Sequence, residues 1–178
     1  MGDAARGAAG QDQQYADAAA AFGPALGRLA CAYEPDPDKR RDLLQDIHVA
    51  LWRSLARFDG RCSLRTWVYR VAHNTATSKV LRPQTNAPTL VAIDDRVESL
   101  VETLDGEQVL DRRRALERLH DLIRQLRPLD RQVMLLYLEQ LDAASIAEIT
   151  GLSAANVATK VSRIKQLLVQ RFHEEKKP

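Results

Sequence analysis

The segment from Asp142 to Arg171, DAASIAEITGLSAANVATKVSRIKQLLVQR, leaves the chain little conformational freedom. Asp142 can cap a short helix, because its carboxylate accepts from the backbone N–H groups that a helix start leaves open. Gly151 stops that helix as a C′ residue, where a left-handed backbone is wanted. After a brief turn Ser153 can cap a second helix. Ile146, Ile149, Leu152 and Val157 then face one another, and the unit reads as a helix-turn-helix. In the second helix Val157, Val161, Ile164 and Leu168 fall at i, i+4, i+7 and i+11 and form the buried stripe. Asn156, Thr159, Lys160 and Arg163 are left outside, near its N-terminal half. A recognition helix presents side chains to base edges and phosphates from that position. Any helical hairpin with a solvated basic face shares part of this pattern. Caps, glycine, turn length and polar face together favour DNA.

A second constellation lies at Phe58 to Arg82, FDGRCSLRTWVYRVAHNTATSKVLR. Arg61, Arg65, Arg70, Lys79 and Arg82 are its basic residues, and from Arg61 onward it contains no acid. Ser63 is a good N-cap and Pro83 marks the far end, so one helix can run between them. Leu64, Val68, Val71, Ala72, Thr75 and Val80 give its expected apolar stripe. The Asp59-Gly60 pair before the cap favours a turn. A basic helix carrying Trp67 and Tyr69 suits single-stranded nucleic acid, since cations track phosphates while rings stack on exposed bases. A core helix with Trp67 buried and a solvated basic face fits the same residues, and both readings stand here.

The remaining chain shows no sustained period-two alternation, so the expected fold is all-α, in two small helical bundles. Residues 1–14, rich in Gly, Ala and Gln, read as a disordered tail. A first domain is expected over 15–83, a linker over 84–106 and a second domain over 107–175. Gly23-Pro24 should split or kink the first helical stretch. Asp36-Pro37 is a strong start for the next, which carries Leu43, Leu44, Ile47, Leu51 and Leu55 on one side, with Trp52 expected in the core. In the linker, Asp94, Asp95, Glu98, Glu102 and Asp105 stand against Arg96 alone. This acidic strip separates two basic blocks, as two nucleic-acid-facing surfaces would require.

Composition removes several classes. Cys31 and Cys62 are too few for a disulfide framework, and His48, His73, His120 and His173 are scattered singly. No metal or cofactor is expected. No nucleophile–base pair, phosphate loop or paired carboxylates mark an enzyme. There is no secretory signal and no apolar run near the ~18 residues of a membrane helix, so a cytoplasmic location with reduced thiols is expected.

With both constellations read, the chain resembles the bacterial sigma factors of the extracytoplasmic-function (ECF) type, which join two helical domains, regions 2 and 4, by a flexible linker. The resemblance rests on DLLQDI (42–47), ALW (50–52), FDG (58–60) and SLRTWVYRVAHN (63–74) in the first half. In the second it rests on LRPLDRQVMLLYLEQL (126–141), IAEITGLSAANV (146–157) and SRIKQLL (162–168). It implies that the loop from Phe58 to Leu64, with Arg61 and Ser63, forms a pocket for a base flipped out of the promoter −10 element. Trp67, Tyr69 and Asn74 would hold the strands apart, with Arg65, Arg70 and Lys79 on phosphates. Asp42, Gln45 and Asp46 would dock on the β′ clamp of core RNA polymerase. Ser153, Asn156, Thr159, Lys160 and Arg163 would serve the −35 element, and the apolar cradle of the helix-turn-helix would receive the β flap tip. The implied partners are core polymerase, promoter DNA and an anti-sigma factor, which in many members is membrane-bound. Lys39, Arg40 and Arg41 precede Asp42 where members often carry acids, so the clamp-facing ridge is less acidic than usual. The alternative is a helix-turn-helix regulator that binds duplex DNA without melting it; such a protein has no use for the Phe58–Asn74 constellation.

Overall fold

The computed structural model describes residues 3–81 and 106–174. Seven helices account for the regular structure among them, without strands: α1 (Asp3–Tyr33), α2 (Pro37–Leu55), α3 (Leu64–Leu81), α4 (Gly106–Arg124), α5 (Pro128–Leu138), α6 (Ala143–Thr150) and α7 (Ala154–Glu174). Residues 82–105, which hold nearly all of the expected linker, lie outside the described residues.

α1, α2 and α3 form the first bundle. The Asp36 carboxylate accepts from the N–H groups of Asp38 and Lys39 at 2.9 and 3.0 Å, and Pro37 opens α2. Leu43, Ile47, Leu51 and Leu55 are buried along α2 at the spacing read from the sequence. They pack with Leu26, Leu29 and Ala30 of α1 and with Val68 and Ala72 of α3.

Three expectations for this bundle are corrected. The segment expected as a disordered tail is part of α1 from Asp3 onward. Its second half has a partner: the Trp52 indole N–H donates to Asp12 at 2.8 Å, and the Gln11 amide donates to the Trp52 carbonyl at 2.7 Å. Composition alone gives such contacts no weight. Pro24 lies inside α1, which continues through it. A proline there costs about 3 kcal/mol of helix stability, and burial of Ala18, Ala25, Leu26, Leu29 and Ala30 on either side offsets it. Trp52, expected in the core, is 40% exposed.

α4 to α7 form the second bundle around Leu122, Ile123, Val133, Leu136, Ile146, Val157, Val161 and Ile164. The helix-turn-helix is as expected. Asp142 accepts from the N–H of Ser145 at 2.7 Å, Gly151 ends α6 at φ 75°, and Ser153 accepts from the N–H of Asn156 at 3.2 Å. A residue with a Cβ at Gly151 would meet open space but would have to hold a left-handed backbone, so the glycine is there for its φ.

The two bundles are packed against each other. α3 meets α5 and α6, while α1 meets α4. Arg124 of α4 donates to the Cys31 carbonyl at 3.0 Å, and the Arg131 guanidinium lies 5.4 Å from the centroid of the Tyr33 ring.

Candidate nucleic-acid interface

The turn before α3 is built from its own polar groups. Gly60 has φ 75°, the Arg61 N–H donates to Asp59 at 3.1 Å, and Arg61 also pairs with Asp59 through its guanidinium at 3.0 Å. The Arg61 side chain is still 89% exposed. Ser63 caps α3, accepting from the Thr66 N–H at 3.0 Å, with the two hydroxyls 2.9 Å apart. Its side chain is therefore committed to the helix start. Phe58 packs on Trp67 with ring centroids 5.5 Å apart, and the Trp67 indole N–H donates to Ser54 at 3.0 Å. The two rings thus line the base of the turn, half-buried, with the one polar atom of the indole satisfied.

Along α3 the expected apolar stripe is rotated. Thr66, Val68, Tyr69, Ala72, His73 and Ala76 are buried, whereas Val71 and Thr75 are only half-buried. Tyr69, expected to face DNA, is therefore inside. Its hydroxyl donates to Glu139 at 3.1 Å, and burial, then the Glu139 charge and that hydrogen bond, push its pKa up to about 12. Arg65 lies 6.0 Å from the centroid of the Tyr69 ring and donates to the Glu139 carbonyl. Arg70 pairs with Glu148 at 3.2 Å, and Lys79 pairs with Asp46 of α2 at 2.6 Å. Asn74 is exposed on the outer face.

On α2, Asp42, Gln45 and Asp46 are all exposed. Val49 and Trp52, 41% and 40% exposed, lie seven residues on from Asp42 and Gln45 and so continue the same ridge two turns further. The sequence reading missed both, although that seven-residue spacing was available to it.

On α7 the candidate −35 residues split into two groups. Asn156, Thr159 and Arg163 are exposed, with the Thr159 hydroxyl turned back to the Ala155 carbonyl at 3.0 Å. Ser153 is occupied as the cap. Lys160 is only 28% exposed and pairs with Asp130 at 2.5 Å; Arg127 holds the other carboxylate oxygen at 3.0 Å. Burial pushes the Asp130 carboxyl up, but the hydrogen bonds and charges of Lys160 and Arg127 outweigh it and hold the group below its ordinary range. Lys160 thus has a structural task that the surface pattern did not reveal. Behind α7, Tyr137, Leu141, Ile146, Val157 and Val161 line an open, largely apolar groove of about 510 Å³.

The model of Sigma-70 region 2 matches residues 19–85, and that of Sigma-70 region 4 matches residues 116–168. The chain is 32% identical over 128 residues to RNA polymerase sigma factor YlaC of Bacillus subtilis (strain 168), covering 70% of this chain and 72% of that protein. The chain belongs to the ECF-type RNA polymerase sigma factors. It is an alternative sigma factor that directs promoter-specific transcription initiation with RNA polymerase. Two solved structures share the fold. CnrH, in complex with the cytosolic domain of CnrY, gives a TM-score of 0.68 at 20% identity and covers 96% of this sigma factor and 95% of that chain. RpoE in complex with the anti-sigma factor NepR from Bartonella quintana gives 0.63 at 19% identity, with coverage of 85% and 92%.

Proposed function

We propose that this sigma factor divides promoter opening between two domains, residues 15–83 for polymerase docking and the −10 element and residues 107–175 for the −35 element. The observation that carries the reading is the surface around α3: an exposed arginine at the turn, two rings in tilted contact beneath it, Asn74 outside and no acid within the helix itself. Unstacking costs a few kcal/mol per base, and rings with cations beside them can offset it. Phe58 and Trp67 would line the pocket for a flipped base, with Arg61 at its mouth. Asn74 would meet the separated strands, and Arg65, Arg70 and Lys79 the phosphates. The α2 ridge of Asp42, Gln45 and Asp46 would dock on the β′ clamp, with Val49 and Trp52 adding an apolar centre of the kind that dominates interface energy. Asn156, Thr159 and Arg163 would read the −35 element, and the groove behind α7 would take the β flap tip.

The protein would act in the cytoplasm without catalysis of its own; among the described residues no helix is long and apolar enough to cross a membrane. The CnrH and RpoE complexes support an anti-sigma protein as a further partner, and a membrane-anchored one suits a signal received at the envelope.

The test is reconstitution with core polymerase on fragmented genomic DNA, mapping transcript 5′ ends. Start sites sharing −10 and −35 sequences, absent without the chain, are the expected result. Specific duplex binding with no polymerase-dependent opening would instead support the helix-turn-helix regulator.

A further inference from the structure

The first turns of α1 are held against the far end of α2 by two rungs of side chains. Tyr15 and His48 form one: the Tyr15 hydroxyl lies 3.0 Å from His48 Nδ1, and the rings meet edge to face with centroids 6.0 Å apart. One turn earlier on α1 and one turn later on α2, Gln11 and Asp12 meet Trp52. The Asp12 carboxylate accepts from the Trp52 indole N–H at 2.8 Å, and the Gln11 amide donates to the Trp52 carbonyl at 2.7 Å. That carbonyl is among the last four of α2, the carbonyls that a helix end leaves open. Two rungs one turn apart fix the register of α1 on α2, so the Asp12 contact belongs to the packing of the helices.

Trp52 is also the last member of the α2 ridge, 40% exposed. A surface tryptophan samples several rotamers, and a partner that docks on it must freeze one of them. That loss weakens binding unless the free protein already holds the bound orientation. The indole N–H is the one polar atom of the side chain, and Asp12 takes it, which turns the polar edge of the ring toward α1 and leaves ring surface for apolar contact. We propose that Asp12 is a positioning residue for polymerase docking: with Gln11 it clips Trp52 into the orientation in which its ring meets the β′ clamp. Its role rests on the α2 ridge being the clamp-docking surface, as proposed above. Asp12 acts there as a hydrogen-bond acceptor and not through its charge, so an amide in its place should serve as well.

The experiment titrates the full chain onto immobilised core RNA polymerase by biolayer interferometry. Asp12→Ala should bind about five-fold more weakly, the cost of immobilising one free side chain. Asp12→Asn keeps an acceptor and should bind within about two-fold of wild type. Trp52→Phe keeps a ring without the donor; it should also bind more weakly, and adding Asp12→Ala to it should cost nothing further. Equal losses from Asp12→Asn and Asp12→Ala, or additive losses in the double variant, would overturn the clip. Wild-type binding by Asp12→Ala overturns it too; if Asp46→Lys and Trp52→Ala still weaken binding, the α2 docking surface stands without it. If those two bind as wild type does, docking surface and clip fall together. Asp12 is exposed, so its loss should leave the bundle folded, and circular dichroism checks this. Time-resolved fluorescence anisotropy of the free chain gives a second readout, in a Trp67→Phe background where Trp52 is the one tryptophan left of two. The clip requires restricted rotation of Trp52 with Asp12 or Asn at position 12 and fast local rotation with Ala. Equally free rotation in all three would overturn it.

Discussion

His73 offers the sharpest test of how the first bundle is held together. It is 1% exposed on α3, its Nδ1 lies 3.0 Å from the Tyr33 hydroxyl, and Nε2 has no hydrogen-bond partner among the described residues. Burial without a compensating acid holds its pKa down to about 3. In the unfolded chain the same imidazole titrates near 6.5. The folded protein therefore keeps His73 neutral while the unfolded chain takes up a proton as pH falls below that value. Its contribution is fully present above about pH 6.5 and declines as pH falls toward 3. Between about pH 7.5 and about pH 5 the loss is on the order of 2 kcal/mol, from about 1.4 kcal/mol per pH unit over 1.5 units. Urea unfolding at those two pH values, followed by circular dichroism, measures it. His73→Gln, neutral at every pH and still able to hydrogen-bond, should show a pH dependence smaller by that amount. Carboxylates, His48 and His120 contribute to wild type and variant alike and cancel in the comparison. An equal pH dependence in the two proteins would refute the buried neutral imidazole.

The other outcomes separate surface from structure. Asp46→Lys should weaken core polymerase binding in a titration while leaving stability nearly unchanged, since the half-exposed Asp46–Lys79 pair is worth no more than about 1 kcal/mol; full-strength binding would remove α2 from the docking surface. Arg163→Ala should lower the salt slope of −35 duplex binding by about one unit, with stability within about 0.5 kcal/mol of wild type. Lys160→Ala should instead cost about 1–3 kcal/mol in urea melts, because Asp130 is left to Arg127 alone; a variant as stable as wild type would refute the structural role of Lys160.

What the sequence disclosed and what it withheld divide along physical lines. Local chemistry was legible: the Asp36, Ser63, Asp142 and Ser153 caps, Gly151 and the α2 leucine stripe all depend on neighbours within a few residues. Tertiary partners were not. Tyr69 is buried because Phe22 and Glu139 meet it, Lys160 is tied down by a residue thirty positions away, and Trp52 is outside because α1 supplies Asp12 to its indole. Period and capping say which face of a helix is apolar, not what will be packed against a mixed face such as that of α3, where Thr66 and His73 go inside. The contact between the bundles was equally silent, since Glu139 and Arg28 look like ordinary solvated charges until the fold joins them.

Permanganate footprinting of promoter thymines tests the central claim, that α3 opens DNA, most directly. The reconstituted holoenzyme should expose thymines around the start site. Asn74→Ala, altered at an exposed α3 position, should assemble with polymerase and bind the −35 element as wild type does, yet open the duplex more slowly. A pre-melted bubble template should restore it. Opening at the wild-type rate by Asn74→Ala would contradict the role given to this face of the helix.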